Sequence, residues 1–406
     1  MNTDDKNNIH ERSTVVVDLE AIRHNLREFK ALQMKHRSKP MLIFSSVKAN
    51  AYGHGSIPVA RAIAGITDYY GVACIDEAVE LRKNGIEGPI LVLGAALSDD
   101  FEAAIKYDVT LTVFDYDRAA QLDACAESLN KTAKIHIAVD TGMSRIGLRP
   151  DRSGAETIGR IAALENIDIT GIFTHFATAD EADKAPVNEA HERFLAFKHL
   201  CESEGIKIPI WHCANTAANI EGIGLEDEMD MSRCGVGIYG IYPSDEVSKE
   251  NIELIPALKW FSCLTLVKEI KKGTSVSYGY NFTADKDMLI GTVACGYADG
   301  FLRILSPKGA ELIIRGKRCP VIGNVCMDQM MVDLSEVPDA KVGDRVVIIG
   351  SAEDSFAGNE DNKPKADEET YCKPVTADEL GALADTISYE IICGLAARTK
   401  RRYINV

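Results

Sequence analysis

Lys48 is the residue of this chain with the most chemistry to offer. It closes an apolar run, MLIFSSVK (41–48), and leads straight into a turn with Gly53 and Gly55, VKANAYGHG (47–55). A lysine so placed keeps its stem in a core and its amine at the rim. An amine drawn out of water holds its proton less tightly and is freer to attack a carbonyl. Taken alone, a strand-end lysine more often snorkels to solvent. A lysine-bound aldehyde cofactor with a phosphate would also need an anion cradle of backbone N–H groups and hydroxyls. Two later segments offer one: HCANTAA (212–218), with the Thr216 hydroxyl in a strand-to-helix turn, and RCGVGIYG (233–240), with Gly235 and Gly237. Glycine pairs are ordinary in turns, so their position has to decide.

Position is set by a repeating rhythm. Short apolar runs recur at MLIFSSVK (41–48), YGVACI (70–75), PILVLG (89–94), VTLTVF (109–114), KIHIAVD (134–140), ITGIFTHF (169–176), PIWHCA (209–214) and RCGVGIYG (233–240). Amphipathic stretches such as DEAVELRKNG and HERFLAFKHLCESEG lie between them, the alternation of parallel strands and crossover helices. About eight repeats over roughly 230 residues fit a closed (β/α)8 barrel better than an open doubly wound sheet. Barrel enzymes carry their chemistry at the C-terminal ends of the strands. Lys48 ends the first run, Asp140 and Arg145 follow the fifth, His175 ends the sixth, His212 and Asn215 close the seventh, and Arg233 opens the eighth.

From about residue 255 the rhythm changes to strands without helices: LTLVKEI, SVSYGYNF, MLIGTVACGY, AELIIRG, MMVDL and DRVVIIG. The expected organisation is a polar tail over 1–13, a barrel over 14–254 and a mostly antiparallel β domain over 255–406. Within the latter, an acidic, low-complexity loop (351–374) precedes a short helix at TADELGALAD.

The chain has 406 residues, and its 61 acidic against 45 basic residues give a net charge of −16. That balance argues against a nucleic-acid partner, which needs clustered Lys and Arg. No signal-peptide core and no membrane-spanning run is visible, so a cytoplasmic protein is expected. The eleven cysteines form no CxxC or CxxH pair, which points away from a disulfide framework and from a metal site.

Taken together, VKANAYGHG, VDTGMSRIG (139–147), THFATAD (174–180), HCANTAA, RCGVGIYG, SYG (277–279), GYADG (296–300) and NVCMDQM (324–330) resemble the signature motifs of bacterial alanine racemases, in order and across nearly the whole chain. The resemblance implies an isomerase that uses pyridoxal phosphate to interconvert L- and D-alanine for cell-wall peptidoglycan. It also implies a homodimer whose active sites borrow residues from the partner's β domain. Carried over residue by residue, Lys48 resembles the lysine that holds the cofactor and acts as one base, and Tyr278 resembles the opposing base. Tyr52, Thr216, Gly235, Val236 and Tyr389 match phosphate-holding positions, and Asn215 is grouped with the cofactor set. Arg233 matches the residue facing the pyridine nitrogen, Arg145 the one near the phenolic oxygen and the substrate, and His175 the partner of the catalytic tyrosine. Met327, with Asp328, matches the substrate-carboxylate site, and Tyr297 matches the tyrosine that narrows the substrate opening. Singly, Tyr278 would more often be a strand-face aromatic and His175 a core histidine; the full motif set favours the functional reading.

The pattern departs from the family in places. Ala138 stands where many members have a carbamylated lysine, so Arg145 must find another carboxylate, a water or an anion. Thr216 replaces the more usual serine, the 351–374 loop looks longer than typical, and Tyr280-Asn281-Phe282 is less usual after SYG. Three rivals remain at this stage. One is a barrel decarboxylase, against which Arg233 and Tyr278 speak. Another is a broader racemase acting on serine, lysine or arginine. The third is a non-catalytic protein that buffers the cofactor.

Overall fold

The computed structural model describes residues 12–356 and 371–406. It divides into two compact units, one spanning Leu19–Pro256 and the other combining the residues up to Asp18 with Ala257–Val406. The chain enters the second unit first, through strand β1 (Ser13–Asp18), before a helix at Leu19–Gln33 opens the barrel unit.

The barrel unit holds eight strands: β2 (Leu42–Ser46), β3 (Tyr69–Val72), β4 (Ile90–Ala95), β5 (Thr110–Val113), β6 (Ala133–Ala138), β7 (Ile167–Phe173), β8 (Trp211–His212) and β9 (Met231–Cys234). All pair in parallel, in the order β8-β7-β6-β5-β4-β3-β2-β9. Asp230 N donates to Trp211 O at 2.8 Å and Arg233 N to Ala214 O at 2.9 Å, so the sheet nearly closes on itself. Strands covered on both faces are largely apolar along their length; all four residues of Thr110–Val113 are buried, and so are those of Met231–Cys234, where Arg233 is the charged exception that the site uses. The connecting helices are started by side chains. Asp115 accepts from Arg118 N at 2.7 Å and Asp151 from Gly154 N at 3.2 Å, each satisfying a backbone donor that the first helical turn leaves open. The helix Arg152–Ala162 then turns Ala155, Ile158 and Ile161 inward at helical spacing.

The eighth strand lies earlier than its apolar run suggests. Arg233 is the third of its four residues, and Val236–Tyr239 forms a short 3-10 turn instead of continuing the strand. Arg233 therefore stands near the strand's C-terminal end.

In the second unit, β10 (Leu258–Ile270) is the long spine. It pairs antiparallel with β1, with β13 (Met288–Val293) and with β17 (Arg345–Ile349). β14 (Glu311–Ile314), β15 (Lys317–Ile322) and β16 (Met330–Asp333) complete the antiparallel ladder, and β18 (Lys400–Ile404) pairs in parallel with β1. The run SVSYGYNF is not one strand. It folds back on itself as β11 (Ser275–Val276) and β12 (Phe282–Thr283) around a turn at Tyr278–Tyr280. Ile270, Val276, Ala284, Met288, Ile290 and Ile322 pack as one apolar cluster beneath that hairpin. The helix expected at TADELGALAD is Ala377–Leu383, capped by Thr376 Oγ1 accepting from Glu379 N at 3.1 Å. Of the polar tail, residues 1–11 lie outside the described residues, as do residues 357–370 of the acidic loop.

Candidate functional site

The segment that carries Lys48 is bent in a way few sequences tolerate. Ala49, Asn50, Ala51 and Tyr52 all have left-handed backbone, with φ of 51, 55, 53 and 50°. For residues with a Cβ this costs about 1–2 kcal/mol each, so the surroundings must enforce it. Glu77 does part of that work. Its Oε1 accepts from Ala49 N at 2.7 Å while its Oε2 accepts from Ala73 N at 2.7 Å. Asn50 closes the turn, its carbonyl accepting from Gly55 N at 2.8 Å and its Oδ1 from Ser56 N at 2.9 Å. The result leaves Lys48 half-buried at the rim and sends Tyr52 inward, where it is buried with its ring 5.1 Å from that of Tyr239.

Tyr52 meets the glycine turn that follows β9. A Cβ built on Gly235 would lie 3.1 Å from the Tyr52 hydroxyl and 3.5 Å from Thr216 Oγ1. Gly235 N donates to Thr216 Oγ1 at 2.8 Å. Two hydroxyls thus converge beside the Gly235 backbone where a side chain would block them, and hydroxyls so placed can donate to a phosphate. Val236 is buried just beyond. Asn215 has structural work to do. Its Oδ1 caps the helix Thr216–Glu221 by accepting from Ala218 N at 2.9 Å.

Arg233 is buried and, among the described residues, donates to neutral acceptors: His212 Nδ1 at 3.0 Å, and the carbonyls of Thr174 at 2.8 Å, Cys213 at 2.9 Å and His212 at 3.2 Å. His175 Nδ1 lies 3.3 Å from the same guanidinium. Burial lowers the Arg233 pKa to about 10, which leaves it charged at neutral pH. Because a guanidinium can only donate, His212 must accept on Nδ1 and carry its proton on Nε2. That proton faces His136 Nδ1 at 2.9 Å, which fixes the proton of His136 on Nε2, an atom with no hydrogen-bond partner among the described residues. Burial, and then the charge of Arg233, pulls His136 down to about 3 and His212 well below its ordinary value. His175 is likewise lowered to about 3, by burial first and then by Arg233, Arg145 and Lys48. Those three cations therefore share one neighbourhood with His175.

Arg145 itself is exposed and makes no hydrogen bond or ion pair with a described residue. Its loop is shaped by Asp140, whose Oδ1 accepts from Gly142 N and Ser144 N at 3.0 Å each. Ala138 is buried at the end of β6.

The remaining candidates belong to the β unit. Tyr278 is 70% exposed, flanked by left-handed Ser277 (φ 67°) and Gly279 (φ 76°). Its carbonyl accepts from Asn324 Nδ2 at 2.6 Å, and Ser277 Oγ donates to Asn324 O at 2.5 Å. The GYADG and CMDQ loops are tied backbone to backbone, Tyr297 N to Cys326 O at 3.1 Å and Ala298 N to Met327 O at 2.9 Å. Tyr297 and Met327 project from them, both exposed. Asp328 pairs with Arg398 at 2.7 Å, and Tyr389 lies on the short helix Ser388–Cys393. Within each unit the predicted residues cluster: Lys48, Tyr52, Arg145, His175, Thr216, Arg233 and Gly235 in one, and Tyr278, Tyr297, Met327 and Asp328 in the other. Sequence reasoning passed over Glu77 and His136. Glu77 reads as one more charge on an amphipathic helix, and His136 as one more residue of a core strand. The only available signal for His136 was a histidine in an otherwise apolar run.

Two family models match the chain: alanine racemase, N-terminal domain, over residues 17–243, and alanine racemase, C-terminal domain, over residues 257–374. The alanine racemase of Desulforamulus reducens is 40% identical over 390 residues, covering 96% of this chain and 98% of that protein. The alanine racemase of Methanococcus maripaludis is also 40% identical, with 96% and 98% covered. Among solved structures, the alanine racemase of Clostridium difficile 630 superposes with a TM-score of 0.86 at 35% identity, covering 97% of this chain and 96% of that one. The Bacillus anthracis alanine racemase with bound L-Ala-P gives 0.85 at 33% identity, with 98% and 96% covered. Fold, length and likeness together define a two-unit barrel isomerase acting on amino acids. The chain belongs to the alanine racemase family, and its reaction is the interconversion of the two hands of alanine.

Proposed function

We propose that this chain carries out alanine racemisation with pyridoxal phosphate held by Lys48, using Lys48 and Tyr278 as the two bases. The observation that carries the reading is the Tyr52, Thr216 and Gly235 cradle at the strand ends, beside Arg233 held within 3.3 Å of His175. The donor set fits the cofactor. Tyr52, Thr216, Gly235, Val236 and Tyr389 would hold the phosphate, Asn215 would brace that turn, and Arg145 would face the phenolic oxygen. When bound, the cofactor supplies the electron sink that makes an amino acid's α-hydrogen acidic.

The chain's own residues do the rest. Inverting a centre requires a proton to leave one face and return to the other, so two bases on opposite faces suffice; Lys48 Nζ serves one and Tyr278 Oη the other. Arg233 is permanently charged and surrounded by neutral acceptors, so it has no proton to give up readily. A carboxylate at its position would favour deeper electron withdrawal and side reactions. His175, kept neutral, would orient the phenol of Tyr278. The backbone of the Met327–Asp328 loop would meet the substrate carboxylate, with Arg145 alongside, and Tyr297 would narrow the opening.

Tyr278, Tyr280, Tyr297 and Met327 stand exposed on the β unit, which supports a homodimer in which they are contributed to a second copy. All eleven cysteines are free, which supports a reducing, cytoplasmic setting. Among the described residues, no helix is long and apolar enough to cross a membrane.

Tyr278→Phe tests the assignment. Colour and binding should survive while racemisation falls in both directions by about two to four orders of magnitude, the usual contribution of a general acid-base group. Solvent deuterium should still enter D-alanine with retained configuration, because Lys48 can remove and return a proton on its own face. L-alanine should stay nearly unlabelled. Equal labelling of both isomers at close to the original rate would make Tyr278 a packing residue. Borohydride reduction followed by peptide mapping should place the cofactor on Lys48, and its appearance on another lysine would move the site.

A further inference from the structure

Asp299, in the GYADG loop, is a fully buried carboxylate that none of the assigned roles uses. Its two oxygens accept four donors. Oδ1 takes Arg398 Nε at 2.8 Å and Arg12 at 3.2 Å; Oδ2 takes Gly296 N at 2.9 Å and Arg12 at 3.1 Å. A carboxylate offers about four lone-pair sites, so this one is fully committed. The same two arginines reach onward to the neighbouring loop. Arg12 donates to the Asp328 carbonyl at 2.6 Å and Arg398 to the Asp328 carboxylate at 2.7 Å. The Asp299 carbonyl is also engaged, accepting from Thr399 Oγ1 at 3.0 Å and Ala396 N at 3.2 Å.

One buried anion thus joins four stretches of chain: the start of the described residues, the Tyr297 turn, the Met327–Asp328 loop and the segment before β18. The two loops approach so closely that a Cβ on Gly296 would fall 2.3 Å from Cys326 O and 2.5 Å from Met327 O. Backbone hydrogen bonds and this charge cluster set their register. We propose that Asp299 is a positioning residue for racemisation: through Arg12 and Arg398 it holds the Tyr297 turn and the Met327–Asp328 loop in a single geometry. This rests on the reading that Tyr297 and Met327 meet the substrate. Asp299 touches nothing that reacts; it acts by fixing the loops that do.

Asp299→Asn tests it, measured on the cofactor-loaded enzyme beside Arg398→Lys. An amide keeps the shape but neither accepts four donors nor balances two guanidinium groups. The expected result is a KM for alanine raised about tenfold with kcat changed much less, as for lost binding geometry. Arg398→Lys keeps the charge beside Asp299 and loses the fork to Asp328, so its KM should rise less. Amide hydrogen exchange supplies a reading independent of activity. The amides of Tyr297 and Ala298 should lose protection in Asp299→Asn while those of β13 keep theirs. An unchanged KM in the folded variant, or protection lost evenly across the β unit, would overturn the proposal. If the parent enzyme failed to racemise alanine, the functional reading would fall on its own, and the exchange pattern would still decide whether Asp299 sets the loops.

Discussion

The two units treat their functional candidates in opposite ways. In the barrel, Arg233, His212, His136, Tyr52 and Thr216 are buried within their own unit and positioned by short hydrogen bonds to one another and to nearby backbone. In the β unit, Tyr278, Tyr297 and Met327 stand exposed, and only the backbone beneath them is pinned. A site built by one unit can be fixed by its own core. Side chains that must meet a ligand held elsewhere have to be fixed from below and left bare on top. Rigidity in the second case rests on turn geometry: left-handed Ser277 and Gly279, the Asn324 bridges and the Asp299 cluster.

The sharpest way to break this contrast is to mix two dead enzymes. Lys48→Ala and Tyr278→Phe should each be nearly inactive. If the exposed tyrosine serves a second copy, a mixed dimer carries one doubly damaged site and one intact site. Random exchange of equal amounts then restores about a quarter of the parent activity. Restoration should follow the slow exchange of subunits and vanish when either variant is omitted. No recovery, with exchange verified by mass, would return Tyr278 to the barrel of its own chain.

Much of this architecture was legible in the chain, and the exceptions have physical causes. Parallel strands covered on both faces read as apolar runs, so the barrel's rhythm and the strand-end placement of Lys48 and His212 were visible. The eighth strand was misplaced because RCGVGIYG stays apolar through its glycines while the backbone turns. SVSYGYNF alternates like a strand, yet Ser277, Gly279 and Tyr280 all have positive φ. β1 falls largely inside the expected barrel span, 14–254, yet its partners are Leu258–Ile270 and Lys400–Ile404, and long-range pairing leaves no local mark. The left-handed run Ala49–Tyr52 was equally hidden, since alanine is among the last residues expected there. Motifs named Asp299 and Gly296 without revealing that one anchors and the other permits a close backbone approach.

A second, smaller effect probes the buried half of the contrast. His136 and His175 are held near 3 and His212 is lowered too, against about 6.5 for a free imidazole. The unfolded chain therefore binds more protons below pH 6.5. Stability contributed by these groups is complete above that value and is lost as pH falls from about 6.5 towards 3, by roughly 1.4 kcal/mol per pH unit for each of the fully buried His136 and His212 and by less for the half-buried His175. Denaturation of the apoprotein should show a steep acid limb that begins near pH 6. In His136→Asn the amide oxygen can still accept from His212, and the limb should become shallower by one proton. An unchanged slope would mean that His136 is charged or exposed in the folded chain.

The smallest expected effect is none, and it bears on Arg145. The resemblance leads one to expect a carbamylated lysine where this chain has Ala138, a residue buried at the end of β6 with no group to react with carbon dioxide. Arg145 is exposed and has no carboxylate partner among the described residues, so nothing near it is replaced when carbon dioxide is removed. A carbamate is a reversible adduct that leaves when its gas is stripped, so an enzyme relying on one slows in degassed buffer and recovers with bicarbonate. Here the rate should be the same in both, at matched pH and ionic strength. Small anions offer the complementary handle. An exposed guanidinium beside a cationic neighbourhood attracts them, and that attraction is screened within about 10 Å at 0.1 M salt. Chloride should therefore alter KM modestly where bicarbonate does nothing specific. A rate that falls on degassing and returns with bicarbonate alone would show that another lysine has taken the carbamate's place beside Arg145.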